Sequence, residues 1–313
     1  MRNAFAAEVT ALAAADPRLV LLCSDIGNRL FDDYQAQCPT RFMNCGVAEA
    51  NMISMAAGMA LCGLRPITYT ITPFITTRCL EQIRVDLCYQ NLPVVIVGIG
   101  SGLCYASLNA THHSCEDIAL LRVLPNMTVV CPGDAYEVRQ ALRAAVKHDG
   151  PVYLRLGKKG EPAVHQQAPA FTIGKGIVVC RGDDVCLLST GNILPVAVEA
   201  AKELGKGGVS AQVVSFHTVK PLDLEMLAEA FAKFKLVVTL EEHSILGGLG
   251  GSVAEWLADQ TVQKARLSRF GTDDRFMYEA GEQDHAREFY GLTASRIAQR
   301  VLDMYLEPSR LEM

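Results

Sequence analysis

The feature that most constrains this chain is an alternation of two kinds of segment along nearly its whole length. Apolar runs of strand length, such as "RLVLLCSD" (18–25), "LPVVIVGIG" (92–100) and "PVYLRLG" (151–157), alternate with stretches of helical periodicity such as "AYEVRQALRAAVKH" (135–148). Strands bounded by Pro and Gly that alternate with helices form mostly parallel sheets, because each connection crosses the sheet through a helix. The sequence therefore predicts an α/β fold with helices on both faces of its sheets.

Chain length and one break in the alternation predict two domains. The chain has 313 residues, and a single hydrophobic core stops growing near about 250–300 residues. The segment "KKGEPAVHQQAPAFTIGKG" (158–176) is rich in Pro, Gly and Gln, and the alternation resumes beyond it. We predict a first domain over 1–160, a linker over 161–175 and a second, smaller α/β domain over 176–313, each with a mostly parallel sheet flanked by helices.

Charge and hydropathy narrow the classes of partner. The formal net charge is −5 and there is no run of Lys or Arg, whereas a nucleic-acid surface needs a clustered basic stripe. No segment approaches the roughly 18 apolar residues of a membrane span. The eleven cysteines lie mostly within apolar runs and never form a CxxC pair, which is typical of reduced core cysteines. We expect a cytoplasmic protein that binds small molecules or protein partners, and neither nucleic acid nor membrane.

Two glycine-rich segments are candidate ligand sites. "GGLGGS" (247–252) opens a helix, where free N–H groups can hold an anion, but its spacing is not that of a dinucleotide or P-loop motif, and we interpret it as a tight turn. "GIGSGLCYASLNATHH" (98–113) follows a buried strand at its carboxyl end, where open α/β sheets bind ligands. Its final residues, His112 and His113, have side chains that diverge and no third metal ligand at a recognisable spacing. They are predicted to be catalytic or substrate-positioning groups, with helix capping as the alternative, and we predict no metal site.

A single acid, Glu49, stands at the start of a predicted helix of small apolar residues in "NCGVAEANM" (44–52). An acid in the first turn of a helix is commonly favoured by the helix dipole alone. The helix "AEANMISMAAGMALCG" (48–63) is apolar nearly all round, however, which is typical of burial between subunits or domains. Burial raises the pKa of a carboxylate unless a positive or proton-sharing group lies beside it. Glu49 is therefore predicted to have such a partner.

Motifs in order along the chain resemble the second half of the thiamine-diphosphate-dependent transketolases, which comprises a pyrimidine-binding domain and a carboxy-terminal domain. The resemblance rests on "CGVAEANMISMAAGMALCGLRPITYTITPF" (45–74), "EQIRVDLCYQNLPVVIVG" (81–98), "NATHHSCEDIALLRVLPNMTVVCPGDAYE" (109–137) and "EEHSILGGLGGSVAE" (241–255). The carboxy-terminal halves of deoxyxylulose-phosphate synthases and the beta subunits of 2-oxo acid dehydrogenase E1 components look similar. "NLPVVIVG" followed by "THH" favours the transketolase side.

The resemblance implies a catalytic pair and a surface for the cofactor. Glu49 would hydrogen-bond N1′ of the aminopyrimidine and favour the imino tautomer that removes the C2 proton, so that the carboxylate shares a proton while the cofactor performs the carbon chemistry. Phe74 would stack on the pyrimidine ring, with a core phenylalanine as the alternative. Asp25 and Ile26 would lie near the cofactor and the subunit contact. His112 would face the C1 and C2 oxygens of the substrate.

The same resemblance implies substrate contacts and reveals two departures. His113, Lys158 and Arg2 are candidate substrate residues, the last two for an anionic tail, although a lysine is a point charge and not a bidentate fork. The alternative for Lys158 and Arg2 is a solvated basic residue at a domain edge. Four residues before His112, where the family usually has an acid that reads a substrate hydroxyl, this chain has Leu108. A histidine that many members have near the start of the same loop is replaced by Gly100. The resemblance therefore does not fix donor stereochemistry or phosphate recognition.

The amino-terminal half of these enzymes is missing from the sequence. That half binds the diphosphate and its Mg2+ through a GDG motif, and no GDG occurs in this chain. The resemblance implies the carboxy-terminal, beta-type subunit of a split transketolase, with a GDG-carrying partner that holds most of the cofactor and the metal. An α2β2 assembly with active sites between unlike chains is the simplest arrangement, and the apolar helix over 49–62 is the predicted interface.

These observations predict a transferase of carbohydrate metabolism. It would transfer a two-carbon ketol unit from a ketose, phosphorylated or otherwise anionic, to an aldehyde acceptor with thiamine diphosphate and Mg2+. One alternative is an E1-beta-like or acyloin-forming subunit that acts on a 2-oxo acid. Another is a non-catalytic scaffold that kept the fold and lost the chemistry, against which the joint presence of Glu49, Phe74 and His112 argues.

Overall fold

The described part of the chain forms two α/β sheets with helices on both faces. This computed structural model describes residues 1–158, 160–261 and 265–306. Both sheets are mostly parallel. The predicted fold class is confirmed.

The first sheet is built mainly from the first half of the chain. Its strands are β1 (Leu19–Cys23), β2 (Phe42–Asn44), β3 (Arg65–Ile71), β4 (Val95–Ile99), β5 (Thr128–Val130) and β6 (Val152–Leu156), joined by β10 (Thr218–Lys220). They lie in the order β10-β5-β6-β4-β3-β1-β2, and all neighbours are parallel except β10 and β5. Strands β1, β4 and β6 are buried along their whole length, as expected when helices cover both faces.

Helices pack on both faces of this sheet. They are α1 (Arg2–Ala15), α2 (Asp32–Gln37), α3 (Glu49–Leu61), α4 (Thr72–Ile75), α5 (Leu80–Gln82), α6 (Asp117–Arg122) and α7 (Ala135–Ala145), with a π-helical turn at Ile83–Cys88 and a 3-10 segment at Ala106–Thr111. Phe5 of α1 and Leu142 of α7 belong to the apolar core on one face. Met52 and Ile53 of α3 belong to the core on the other face, so α3 is buried on one side.

The second sheet belongs to the second half of the chain. Its strands are β7 (Ile177–Cys180), β8 (Val185–Thr190), β9 (Ala211–Ser215), β11 (Leu236–Ser244) and β12 (Arg266–Thr272), in the order β12-β11-β8-β9-β7. Only the pair β7 and β9 is antiparallel among the described strands of this sheet. Its helices are α8 (Leu194–Lys206), α9 (Leu224–Lys233), α10 (Leu249–Ala258), α11 (Gln283–Phe289) and α12 (Ala294–Leu306).

The division into domains at 160 and 176 stays a prediction. Residues 160–176 contain neither helix nor strand, and the backbone N–H groups of Val164 and His165 donate to Oδ2 of Asp134 at 2.9 and 2.8 Å. Strand β10 lies beyond this segment, yet it pairs with β5 and extends the first sheet, which the sequence did not predict. Residues 159, 262–264 and 307–313 of the predicted domains lie outside the described residues.

Arg155, which forms a buried ion pair with Asp117, also links the first sheet to the second. Arg155 of β6 donates to Oδ2 of Asp117 at 2.7 Å and to the backbone oxygen of Glu242 in β11 at 2.9 Å. Tyr153 donates to the same aspartate oxygen at 2.6 Å. Burial raises the pKa of Asp117, but the charge and hydrogen bonds of Arg155 outweigh burial and hold this pKa below its usual value. Asp117 is therefore a charged group compensated inside the protein.

The glycine-rich segment 247–252 holds a carboxyl group that belongs to the chain itself. Helix α10 begins within it, and the N–H groups of Leu249 and Gly250 donate to the carboxylate of Glu241 at 2.7 and 2.8 Å. Burial raises the pKa of Glu241 to about 7 against the lowering effect of these two hydrogen bonds. Gly247 has a φ of +78°, as the tight turn requires. The free N–H groups at the start of α10 are thus already used.

Three observations concern the classes of site and partner considered above. Among the described residues, none of the helices has the length and apolar character that a membrane crossing requires. All eleven cysteines are free; Cys62 is exposed, Cys45 and Cys180 are half-buried, and the rest are buried. Within the described ranges, no group of three or more His, Cys, Asp or Glu side chains is arranged to hold a metal ion.

Candidate active site

The carboxyl edge of the first sheet gathers segments that contain predicted site residues. Asp25 follows β1, Phe74 lies in α4 directly after β3, the segment 100–113 follows β4, and Lys158 follows β6. Because parallel strands end at the same edge of a sheet, these segments lie side by side. The start of α3 and the start of α1 complete the group with Glu49 and Arg2.

Glu49 is buried at the first residue of α3, with 3% of its surface exposed. Its Oε2 accepts a hydrogen bond from Nη1 of Arg78 at 2.8 Å. Burial raises the pKa of the carboxyl, but hydrogen bonds from its own backbone N–H, from Arg78 and from Ser24 outweigh burial, so that the pKa lies below its usual value. Within this chain, the positive partner expected for Glu49 is Arg78.

Arg78 also lies over the ring of Phe74. Its Cζ is 4.4 Å from the centroid of the ring, four residues earlier in the turn that begins with α4. The Arg78 side chain is 46% exposed, whereas that of Glu49 is 4% exposed. A planar group with N–H donors therefore occupies the space between a buried carboxylate and an aromatic face, and it is open to solvent on its outer side.

His112 and His113 lie in different surroundings. The ring of His112 meets that of Phe74 edge-on with centroids 5.2 Å apart, and its Nδ1 is 2.9 Å from Oγ1 of Thr111. His113 is buried, lines a separate cavity with Tyr290, and has an Nε2 with no hydrogen-bond partner among the described residues. Burial lowers the pKa of both histidines. The structure brings His112 to the Glu49 group and places His113 outside it.

Tyr105 extends this group toward Lys158. Its ring centroid is 6.1 Å from that of His112, and Nζ of Lys158 is 5.2 Å from the centroid of the tyrosine ring. Gly100 has a φ of +74°, and a Cβ built at this position would overlap the ring of Tyr105. The ring thus fills the space that a side chain at position 100 would need. This is the physical reason why glycine stands there.

Arg2 and Lys158 lie together beside Tyr105. The backbone N–H of Arg2 donates to the backbone oxygen of Lys158 at 3.2 Å. Nε of Arg2 is buried and has no hydrogen-bond partner among the residues that the structure describes. Burial raises the pKa of Tyr105, and the charge of Arg2 opposes that effect. The backbones of Arg2 and Lys158 therefore meet at the edge of the group that contains Tyr105.

Asp25, Ile26 and Leu108 contribute less to the group. Asp25 is exposed, has a φ of +45°, and donates through its backbone N–H to Oδ1 of Asn44 at 3.2 Å. Ile26 is half-buried and packs against the core that contains α1. Leu108 is 49% exposed in the loop that carries His112. A contact between Asp25 or Ile26 and a cofactor stays a prediction.

Two members of the group, Arg78 and Tyr105, were not predicted from the sequence. The sequence gives only a weak signal for Arg78, because α4 ends at Ile75 and Arg78 lies in the turn beyond it, where helical spacing does not place its side chain over Phe74. Tyr105 has no comparable signal. Its position depends on an irregular loop in which Gly100 and Gly102 both have positive φ.

Comparison with known families decides what kind of chain this is. Residues 1–161 match the family described as "Transketolase, pyrimidine binding domain", and residues 174–297 match "Transketolase, C-terminal domain". The chain belongs to the transketolase family. The resemblance predicted from the motifs is confirmed, and both sheets of this transketolase-family chain lie within matched segments.

Individual relatives agree with this assignment. This transketolase-family chain is 36% identical over 300 residues to the 6-deoxy-6-sulfo-D-fructose transketolase subunit SqwH of Clostridium sp. strain MSTE9, which covers 96% of this chain and 92% of that protein. It is 37% identical over 267 residues to 1-deoxy-D-xylulose-5-phosphate synthase 1 of Geobacter sulfurreducens. The aligned region covers 85% of this chain and 41% of the synthase. A solved structure described as a split gene transketolase in an inactive beta4 tetramer superposes with a TM-score of 0.88 at 36% identity, covering 97% of this chain and 98% of that one.

Proposed function

We propose that this chain is the beta-type subunit of a split transketolase-like enzyme that transfers a two-carbon ketol unit from a ketose to an aldehyde acceptor. The observation that carries the proposal is the surroundings of Glu49: a buried carboxylate that is reached from solvent through a flat, N–H-bearing group lying on Phe74. Membership of the transketolase family supports the class of reaction.

Glu49 and Phe74 fit the aminopyrimidine of thiamine diphosphate. The guanidinium of Arg78 makes the two contacts that an aminopyrimidine needs there, an N–H donated to Glu49 and a planar face over Phe74. Thiamine diphosphate, when bound, supplies the carbon nucleophile that protein side chains lack. Arg78 has to leave this position to admit the ring, which breaks its ion pair with Glu49, and its half-exposed side chain can then turn toward solvent.

The side chains of this chain then handle protons and orient the substrate. Without Arg78, burial of Glu49 favours a proton shared between its carboxylate and a ring nitrogen. His112 faces the C1 and C2 oxygens of the ketose, and it does so as a neutral imidazole because burial lowers its pKa. Lys158 and Arg2 hold an anionic tail, in line with the sulfonate and phosphate in the names of the two relatives. His113 is left out of this proposed site.

A second subunit completes the active site in this proposal. The sequence has no GDG motif, so we assign the diphosphate and Mg2+ ligands to an amino-terminal partner in an α2β2 assembly in the cytoplasm. The outer side of α3 is the proposed interface, because this helix begins at Glu49 and small residues on that side allow a partner to pack closely. Its exposed residues are Asn51, Ser54, Gly58 and Leu61.

The similarity to a deoxyxylulose-phosphate synthase favours a second candidate function. In that case the chain is an acyloin-forming subunit, of the E1-beta-like or synthase kind, that acts on a 2-oxo acid. A non-catalytic scaffold is less favoured, because Glu49, Phe74 and His112 lie in one connected group.

Donor choice in the assembled enzyme distinguishes these functions. The chain is co-expressed with a GDG-carrying candidate partner, supplied with thiamine diphosphate and Mg2+, and assayed with fructose 6-phosphate or pyruvate as donor and an aldehyde acceptor. We expect ketol transfer from the ketose, and a loss of about 10²–10⁴-fold in kcat for Glu49→Gln, because proton transfer is impaired. Glu229→Gln, at an exposed acid of α9, is the matched control.

Each other outcome of this assay points to one alternative. Turnover of pyruvate without turnover of any ketose would overturn ketol transfer and support the second candidate. If the Glu49→Gln variant assembled with its partner and kept full turnover, the result would support the non-catalytic scaffold.

A further inference from the structure

We propose that Tyr105 is a substrate-recognition residue of the site: its hydroxyl hydrogen-bonds a hydroxyl of the ketose between the reacting carbonyl and the anionic end. The inference rests on the proposed function and names a specificity residue for the same site. Three observations support it: the position of the ring, the contact between the ring and Gly100, and a hydroxyl that has no hydrogen-bond partner within the described residues.

The ring of Tyr105 is close to both groups proposed for the two ends of the substrate. On one side its centroid is 6.1 Å from that of His112, the group proposed for the C1 and C2 oxygens. On the other side it is 5.2 Å from Nζ of Lys158, the group proposed for the anionic tail. A ketose that spans His112 and Lys158 therefore passes Tyr105 with the carbons between its carbonyl and its charged end.

The backbone fixes the position of this ring. Gly100, at a φ of +74°, has no side chain, and the ring of Tyr105 lies directly against it. The N–H of Leu103 donates to Oε2 of Glu242 at 3.0 Å, which ties the same loop to the second sheet. These contacts hold the tyrosine ring in place before the substrate binds, which lowers the entropic cost of binding.

The phenol has an unused hydrogen-bonding group. Tyr105 is half-buried, and its side chain contacts other described residues through the ring and not through the hydroxyl. The charged groups around it are Arg2, Lys158 and Glu161, and the last is paired with the amino group of Met1 at 2.8 Å. Burial raises the pKa of Tyr105 despite the charge of Arg2, so the phenol stays protonated and can both donate to and accept from a sugar hydroxyl. Leu108, in the same loop, offers the substrate no hydrogen bond.

The test is Tyr105→Phe in the assembled enzyme, because phenylalanine keeps the ring against Gly100 and removes only the hydroxyl. We expect KM for fructose 6-phosphate to rise about tenfold, the effect of one lost hydrogen bond, with kcat changed less than twofold. Hydroxypyruvate, which has no hydroxyl beyond the transferred unit, is expected to keep its kcat/KM. Calorimetry in a Glu49→Gln background gives the affinity without turnover, and there the Kd for fructose 6-phosphate is expected to rise by the same factor.

The outcomes separate this inference from the proposed function. Tyr278→Phe, at a tyrosine that is 86% exposed in the second half, is the matched control and should leave both donors unaffected. An unchanged KM and Kd in Tyr105→Phe, in a pair that Glu49→Gln inactivates, would overturn the inference alone. An equal loss with both donors would also overturn it, because a structural support does not distinguish donors. A wild-type pair that transfers no ketol unit would overturn the proposed function and this inference together.

Discussion

At the scale of single residues, Glu49 has one charged neighbour that decides its protonation. Arg78 donates to its carboxylate at 2.8 Å and lies on Phe74, so a side chain of the same chain fills the space proposed for the aminopyrimidine. Burial raises the pKa of Glu49, and hydrogen bonds with its own backbone N–H, with Arg78 and with Ser24, together with the charge of Arg78, lower it further than burial raises it. The carboxylate is therefore ionised while Arg78 is in place, and it becomes a better proton-sharing group when Arg78 leaves.

Arg78→Gln is expected to raise the pKa of Glu49 in the chain alone. The substitution removes the positive charge and weakens the hydrogen bond that lower this pKa, while burial of the carboxyl remains. A 13C NMR titration of the side-chain carboxyl measures the shift. Arg84→Gln, at an exposed arginine of the π-helical turn, is the control and should leave the titration of Glu49 unchanged. An unchanged or lower pKa in Arg78→Gln would show that Arg78 does not control this carboxylate.

At the scale of elements, the segment 160–176 is held to the start of α7. Asp134 caps α7 through Oδ1 and accepts the N–H groups of Val164 and His165 through Oδ2. Nε2 of His165 is 2.7 Å from Oε1 of Glu137. Burial lowers the pKa of His165, but the hydrogen bond and charge of Glu137 and the charge of Asp134 raise it more, so it lies above 6.5. Burial raises the pKa of Glu137, but the hydrogen bond from His165 and its other polar contacts bring it below 4.5.

His165→Gln is expected to destabilise the protein more at pH 6 than at pH 9. A histidine with a raised pKa in the folded state contributes its full stability below its unfolded pKa of 6.5 and loses it as the pH rises through the folded pKa. We expect a loss of about 1.5–3 kcal/mol in the free energy of unfolding at pH 6, the range for a hydrogen bond to a charged group, and a smaller loss at pH 9. Urea unfolding at the two pH values measures it.

His285→Gln is the matched control for this prediction. His285 and Glu279 form an ion pair of 3.3 Å in which both side chains are at least half exposed, so its loss should be small at both pH values. A destabilisation by His165→Gln that grew with pH would contradict the assignment of a charged His165.

At the scale of the whole molecule, the second sheet supports the loop that carries Tyr105 and His112. Arg155 links three parts of this arrangement, since it donates to Asp117, to the backbone oxygen of Ser114 at the end of the loop and to that of Glu242 in β11. Strand β10 joins the second half of the chain to the first sheet as well. Hydrogen bonds of Arg155 and the pairing of β10 with β5 thus connect the two halves of the chain.

The sequence predicted the fold more completely than it predicted the site. Alternating segments and family motifs were enough for two parallel α/β sheets, because the periodicity of strands and helices is local. The pairing of β10 with β5 was missed, since a three-residue strand has no pattern of its own. Glu49, Phe74 and His112 were selected from motifs and lie in one group, whereas Arg78 and Tyr105 were missed because their positions depend on side-chain directions in irregular segments. The side chains of His112 and His113 were expected to diverge, and the ring of His113 lines another cavity.

Calorimetry of thiamine diphosphate and Mg2+ tests the central claim, that this chain provides one half of a shared site. The cofactor is titrated into the chain alone, into the GDG-carrying partner alone and into their mixture, with Glu49→Gln as the variant that should weaken binding in the mixture. We predict tight binding only in the mixture, because the proposed site takes the aminopyrimidine contacts from Glu49 and Phe74 and the diphosphate and metal ligands from the partner. Tight binding by this chain alone would contradict the shared site.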